Sequence, residues 1–191
     1  MAFVTARDRP DLISGMWDLP TPWPTFMMQD VVSDFGYDLL PVRFPEYQLL
    51  AVDGDQVRAR VNAVPYAWSG ADQDLPETGW DFALGMAFRP EMPEAASAVC
   101  LIEARIHPEM AGTGLGTDLL LAARENAAAL GHAHLLAPIR PTRKHLEPDT
   151  SGTVHVKGAL NPVHVSVEND YAVYVEPNVW IDHRTNRDEP A

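Results

Sequence analysis

A single cysteine, Cys100, stands in a chain of 191 residues. No internal disulfide and no cysteine-based zinc cluster can therefore form, and a reducing cytoplasm is the simplest setting. No stretch approaches the ~20 consecutive apolar residues of a membrane helix, so no membrane is expected as a partner. The first residues, MAFVTARDRPDL, lack the apolar run of a secretory signal. Basic residues are scarce: 14 Lys and Arg stand against 27 Asp and Glu, for a net charge of −13. That deficit argues against nucleic-acid binding, which needs a basic surface. It mildly favours cationic or amine-bearing partners through long-range steering, although plain solubility is the simpler reading. Seven histidines are present without an H-x-x-x-H spacing, so no metal site is assigned. Repeats and low-complexity segments are also missing. A hydrophobic fraction of 46% is ordinary for a globular protein, and the length suits one domain over residues 1–191.

Proline is abundant instead, with 17 in all. They cluster at Pro20, Pro22 and Pro24 and again between Pro65 and Pro93, and both stretches read as rigid loops. Residues 2–6 suit a short first strand. Residues 10–47 carry Trp17, Trp23, Phe26, Phe35, Tyr37 and Phe44 among prolines, a pattern of short helices broken near Pro20–Pro24. Residues 48–53 and 56–64 form a hairpin about Gly54, with Val57, Ala59, Val61 and Ala63 alternating against polar partners. Residues 65–96 read as a long aromatic loop over the core, with Trp68 and Trp80 as its anchors and a lid over an acceptor as its expected use. A fourth strand covers 98–106, a helix 117–130 ends at Gly131, and a fifth strand covers 134–139. Near the end, Val163, Val165 and Val167 alternate with polar residues, as do Tyr171, Val173 and Val175. A three-residue loop over 168–170 gives a closing hairpin within 153–183 and makes His164 and Tyr174 cross-strand neighbours.

The segment IEARIHPEMAGTGLGTDLLLAARENAAALG, residues 102–131, is strand, glycine turn, helix. Gly112, Gly114 and Gly116 let the backbone approach a ligand closely. Free N–H groups and the positive end of the helix dipole then make an anion site suited to a diphosphate. A nucleotide P-loop would end in Gly-Lys-Ser/Thr, and a dinucleotide fingerprint would read G-x-G-x-x-G; neither spacing occurs.

Ile106-His107-Pro108 followed by Ala111-Gly112-Thr113-Gly114-Leu115-Gly116-Thr117 resembles the cofactor motif of the GNAT superfamily of acyl-CoA-dependent N-acetyltransferases. The order of elements over 48–139 is similar as well. The stretches 135–144 and 173–183 look like those of an actinomycete-type subgroup without a settled substrate. Two positions depart from the family pattern: Ala111 replaces the usual Gln or Arg, and Thr113 replaces the usual Lys or Arg. Both remove charged donors but leave the backbone cradle. The region 140–152 is also short for the helix the family places there.

The resemblance implies a mixed α/β fold: a mainly antiparallel sheet of six to seven strands with helices on both faces. It implies acetyl-CoA as co-substrate, with the backbone of Ala104, Arg105 and Ile106 along the pantetheine arm and residues Ala111 to Thr117 around the pyrophosphate. It further implies an amine of a small molecule as acceptor, direct attack on the thioester, and an oxyanion donor near Ala104. Homodimers are plausible for such a fold.

For the base, Glu103 inside the fourth strand has two readings: a general base facing the cleft, or a carboxylate paired with Arg58, Arg60 or Arg105. His164 and Tyr174 are the second candidate pair, with a surface hairpin pair as the plainer alternative; Glu176 shares their face. His134 and Cys100 read as core residues, and Arg140 and Lys144 as solvated loop charges. Rival functions are a non-catalytic acyl-CoA-binding scaffold, and an acyltransferase that uses another acyl-CoA or an acyl-carrier protein. An acidic surface disfavours an acidic carrier.

Overall fold

The computed structural model describes residues 1–21, 31–71, 74–76 and 79–138, together with the backbone of three later strands, 152–156, 163–167 and 173–175. Five successive strands make up the body of a mostly antiparallel sheet: β1 (Ala2–Thr5), β2 (Leu49–Asp53), β3 (Gln56–Tyr66), β4 (Ala98–Ile106) and β5 (His134–Ala137). They stand side by side in chain order, and only β4 and β5 run parallel. The parallel step requires a crossover, and α6 (Leu115–Ala129) supplies it. The expected boundaries of these strands and of this helix hold to within a few residues.

The two faces of the sheet are covered differently. Alternate residues of β2, β3 and β4 (Leu49, Ala51, Ala59, Val61, Ala63, Val99 and Leu101) meet Leu115, Leu119, Ala123 and Ala127 of α6. The four-residue spacing of those helix residues produces that single buried stripe. The other face carries three short helices, α1 (Ile13–Trp17), α2 (Val31–Gly36) and α3 (Leu40–Arg43), and two that follow β3, α4 (Gly79–Ala87) and α5 (Met92–Ala95). Here Leu40, Phe44, Val64, Tyr66, Ala83, Leu84, Cys100 and Ile102 pack together.

Residues 79–87 are a correction: a helix stands where the proline and glycine content suggests an irregular loop. Its apolar positions Ala83, Leu84 and Ala87 are buried at helical spacing. Gly79 and Gly85 lower the local helix propensity, and tertiary packing overrides it.

The chain's later strands also pair otherwise than expected. β6 (Gly152–Val156) runs antiparallel to β7 (Val163–Val167), and β8 (Val173–Val175) runs antiparallel along β5. The expected hairpin between the valine-rich segments is therefore not formed. His164 stands opposite His155, and Tyr174 stands opposite Leu136. Val163, Val165 and Val167 find their alternating partners one segment earlier, a choice that periodicity alone cannot make. The loop 168–170, Glu176, Arg140 and Lys144 lie outside the described residues. Among the described residues no helix is long and apolar enough to cross a membrane.

Candidate functional site

The site starts where two strands part. β4 and β5 pair from Ala98 opposite His134 to Cys100 opposite Leu136, and no further. β4 continues for six more residues, so among the described residues its edge from Leu101 to Ile106 has no strand beside it. On the opposite edge β4 pairs with β3 throughout. His107 N–H donates to Arg58 C=O at 2.8 Å, which sets the alternation of the ladder. Opposed residues exchange bonds at every second position. Arg105 and Glu103 thus turn their backbone groups to β3, whereas Ala104 and Ile106 turn theirs to the open edge. Of the three residues expected along a pantetheine arm, Ala104 and Ile106 present backbone groups to the gap. Arg105 does not.

The open edge leads to the glycine turn. Gly112 and Gly114 hold φ of 77° and 88°, the left-handed region that favours glycine. Gly114 is the N-cap of α6. Ala111 N–H bonds to Pro108 C=O, Thr113 N–H to Met110 C=O, and Thr117 and Asp118 N–H to Gly114 C=O. Thr113 Oγ1 lies 3.4 Å from Leu115 N. The N–H groups of Gly112, Gly114 and Gly116 have no acceptor among the described residues. These three, at the positive end of a 15-residue helix, are the donors that can meet an anion. The other members of the expected 111–117 set shape the turn. Gly116 matters for space too: a Cβ there would lie 3.0 Å from Ile106 Cδ1.

Glu103 lies in a buried cluster of charges. The register of β3 and β4 slips by one residue, so that Asn62 faces Glu103 and Ala63 faces Leu101, leaving Ile102 extra. This bulge turns Ile102 and Glu103 toward the same face. Trp80 Nε1 of α4 donates to the carbonyl of Ile102 at 2.8 Å. Glu103 then meets two arginines. Its Oε2 accepts from Arg60 Nε at 3.1 Å and Nη2 at 2.8 Å; its Oε1 accepts from Arg105 Nε at 3.0 Å and Nη2 at 2.5 Å. Tyr37 Oη donates to Oε2 at 2.5 Å. Burial by itself raises the Glu103 carboxyl, but the charges of Arg60 and Arg105 and the bonds from Tyr37 and Arg60 outweigh it and hold it below the usual range. A carboxylate so ligated is a poor proton acceptor. Of its two sequence readings, the paired one holds, with Arg60 and Arg105 as partners; Arg58 pairs with Glu109 instead.

The cluster extends. Arg60 Nη1 donates to Met16 C=O, and Arg105 Nη1 to Leu19 C=O at 3.3 Å. The Arg60 guanidinium sits 4.5 Å from the centroid of the Trp17 ring. Tyr37 Oη is also 3.2 Å from Asn62 Oδ1, and Asn62 Nδ2 donates to Gln48 Oε1 at 3.0 Å. Burial, and then the Glu103 charge, push the Tyr37 phenol well above its ordinary value. Tyr37 and Gln48 gave no sequence signal as site residues, because Tyr37 meets Glu103 from 66 positions away and Gln48 joins the cluster only through Asn62.

Cys100 is buried, and burial pushes its thiol up to about 12. It lines a small apolar recess with Tyr66, Ala83, Leu136 and Ala137, beside the point where β4 and β5 part. His134 stacks edge-on against Trp68 at 5.0 Å, so Trp68 is a packing residue, whereas Trp80 reaches the bulge. The side chains of His164 and Tyr174 lie outside the described residues. Their backbones stand on different ladders, His164 on β7 and Tyr174 on β8.

No protein-family model and no curated protein matches the chain. Solved structures do match. One is the loading GNATL domain of CurA from Lyngbya majuscula, with 17% identity over 78% of this chain and 68% of that one, at a TM-score of 0.54. Another is the GphF GNAT-like decarboxylase in complex with isobutyryl-CoA, with 14% identity over 78% of this chain and 73% of that one, also at 0.54. The chain thus shares its overall fold with these GNAT-like domains.

Proposed function

We propose that the protein is an acyl-CoA-dependent acyltransferase that moves an acetyl group from acetyl-CoA to an amine of a small molecule in a cytoplasmic setting. One observation carries this reading: a β4 edge at Ala104 and Ile106, open among the described residues, runs into three N–H groups, at Gly112, Gly114 and Gly116, without an acceptor among those residues. An extended arm with backbone-like amides adds to such an edge as a strand would, and a diphosphate fits such a turn. The isobutyryl-CoA bound by one structural neighbour supports an acyl-CoA as the ligand class.

In this reading the amine nitrogen attacks the thioester carbon. A C–N bond forms, the C–S bond breaks, and CoA leaves as the thiol with the proton the amine gives up. Ala104 N–H, directed into the gap, polarises the carbonyl. With Glu103 engaged by two arginines, water carries the proton from the amine. Tyr174, whose backbone faces Leu136 at the parting of the strands, is the nominated acid for the leaving sulfur.

The test is calorimetric titration with acetyl-CoA, with CoA, succinyl-CoA, isobutyryl-CoA and NADPH as comparators. Micromolar binding of acetyl-CoA that Gly114→Asp abolishes supports the reading and justifies an amine screen by thiol release. Absence of binding by every CoA species overturns it. A second reading, acyl-CoA binding without transfer, rests on the engagement of Glu103; binding with no thiol release across the screen would favour it.

A further inference from the structure

Among the described residues the cluster around Glu103 does not balance its charges. Two guanidinium groups share one carboxylate, and the side chains of Arg60, Arg105 and Glu103 are 2%, 10% and 4% exposed. Buried charges are normally matched by opposite ones. Among the described residues no second carboxylate reaches either arginine. The surplus positive charge is only dispersed, over the carbonyls of Met16 and Leu19 and the face of Trp17. Each guanidinium also keeps one N–H on Nη1 and one on Nη2 without a described partner.

The position of this surplus is informative. Glu103 and Arg105 belong to the stretch of β4 that β5 has left. The opposite face of that stretch is closed by Leu115 and Leu119 of α6, packed against Leu101. An acceptor attacking an acyl group in the gap therefore arrives from the face that bears Arg105. Resting on the acyl-transfer reading, the geometry points to an acceptor amine that also carries a carboxylate, with Arg105 as its contact and Arg60 behind it. A planar guanidinium with two parallel N–H groups suits a carboxylate better than any neutral group. The strongly acidic surface, at −13 overall, works against collecting anions without such a fixed countercharge.

The experiment titrates the protein, with and without CoA, with glycine, β-alanine and γ-aminobutyrate, and with the amides of the same three compounds, by calorimetry and tryptophan fluorescence. Trp17 stacks on Arg60 and so reports on the cluster. At least one carboxylated amine is expected to bind about tenfold more tightly than its amide, the usual worth of a hydrogen bond to a charged group. Arg105→Gln should erase that ratio, and Arg105→Lys, which keeps the charge, should retain part of it. A purely structural role would lower the melting temperature and leave the ratio unchanged. Equal binding of acid and amide, no binding of either at about 10 mM, or a ratio that survives Arg105→Gln overturns the proposal. If Arg105→Gln does not fold, the wild-type ratio and its change in Arg105→Lys decide. The CoA titration is read separately: carboxylate selectivity without CoA affinity would sink the acyl-transfer reading and leave the anion site standing.

Discussion

The two faces of β3 and β4 are built by alternate residues of the same two strands, yet they behave as different materials. Against α6 the strands show Val61, Ala63, Val99 and Leu101, packed in an apolar cluster with Leu115, Leu119, Ala123 and Ala127. Against α1 and the turn at Tyr37 they show Arg60, Asn62, Glu103 and Arg105, all bonded side chain to side chain. The first face needs only hydrophobic volume at the right period and tolerates exchange of one apolar residue for another. The second needs each partner in place, because an unpaired buried charge is costly. The strands therefore draw cohesion from apolar packing on both faces, while their chemical specificity comes from the polar half of one.

Removing a charge from the polar face should have the largest effect. Glu103→Gln leaves two buried arginines without their carboxylate, and a loss of about 3–5 kcal/mol is expected in urea denaturation. The sign with pH follows from the depressed carboxyl. Its contribution is full above the ordinary value of 4.5 and is lost as pH falls through the lower folded value. The gap between wild type and Glu103→Gln should therefore narrow as the solution is acidified below 4.5.

On the apolar face, Leu119→Ala removes a side chain that is fully buried. It should cost about 3 kcal/mol, and this gap should stay constant over the same acid range. If both gaps moved with pH, the contrast between the faces would be wrong. Gly114→Ala, at φ 88°, should cost about 1–2 kcal/mol in thermal melts. It tests the cradle apart from either face. The smallest expected change is Trp80→Phe, about 1 kcal/mol, from the bond lost at Ile102. A larger loss would mean that the bulge itself depends on Trp80.

What could be read in advance follows the same division. The apolar stripe of α6, its stop at Gly131 and the glycine turn at 112–116 are local features, and short-range spacing reveals them. The strand Ala98–Ile106 was legible for the same reason. Glu103 was visible as an anomaly, but its partners were not decided, because they depend on a one-residue slip between β3 and β4 that no local pattern encodes. Tyr37 reaches Glu103 from 66 positions away. The pairing of Val163–Val167 with β6 is likewise a choice among several valine-rich segments of equal period.

Cys100 gives the molecule a built-in clock. It is the only thiol of the chain, and it sits at the last rung joining β4 to β5. Burial holds the sulfur protonated, with its pKa pushed up to about 12, so a disulfide reagent or alkylating agent can modify it only after that seam opens. The rate of labelling in the native protein thus measures the frequency of seam opening, with no engineered probe. The same shielding leaves an assay that counts released CoA sulfhydryls free of background from the protein itself.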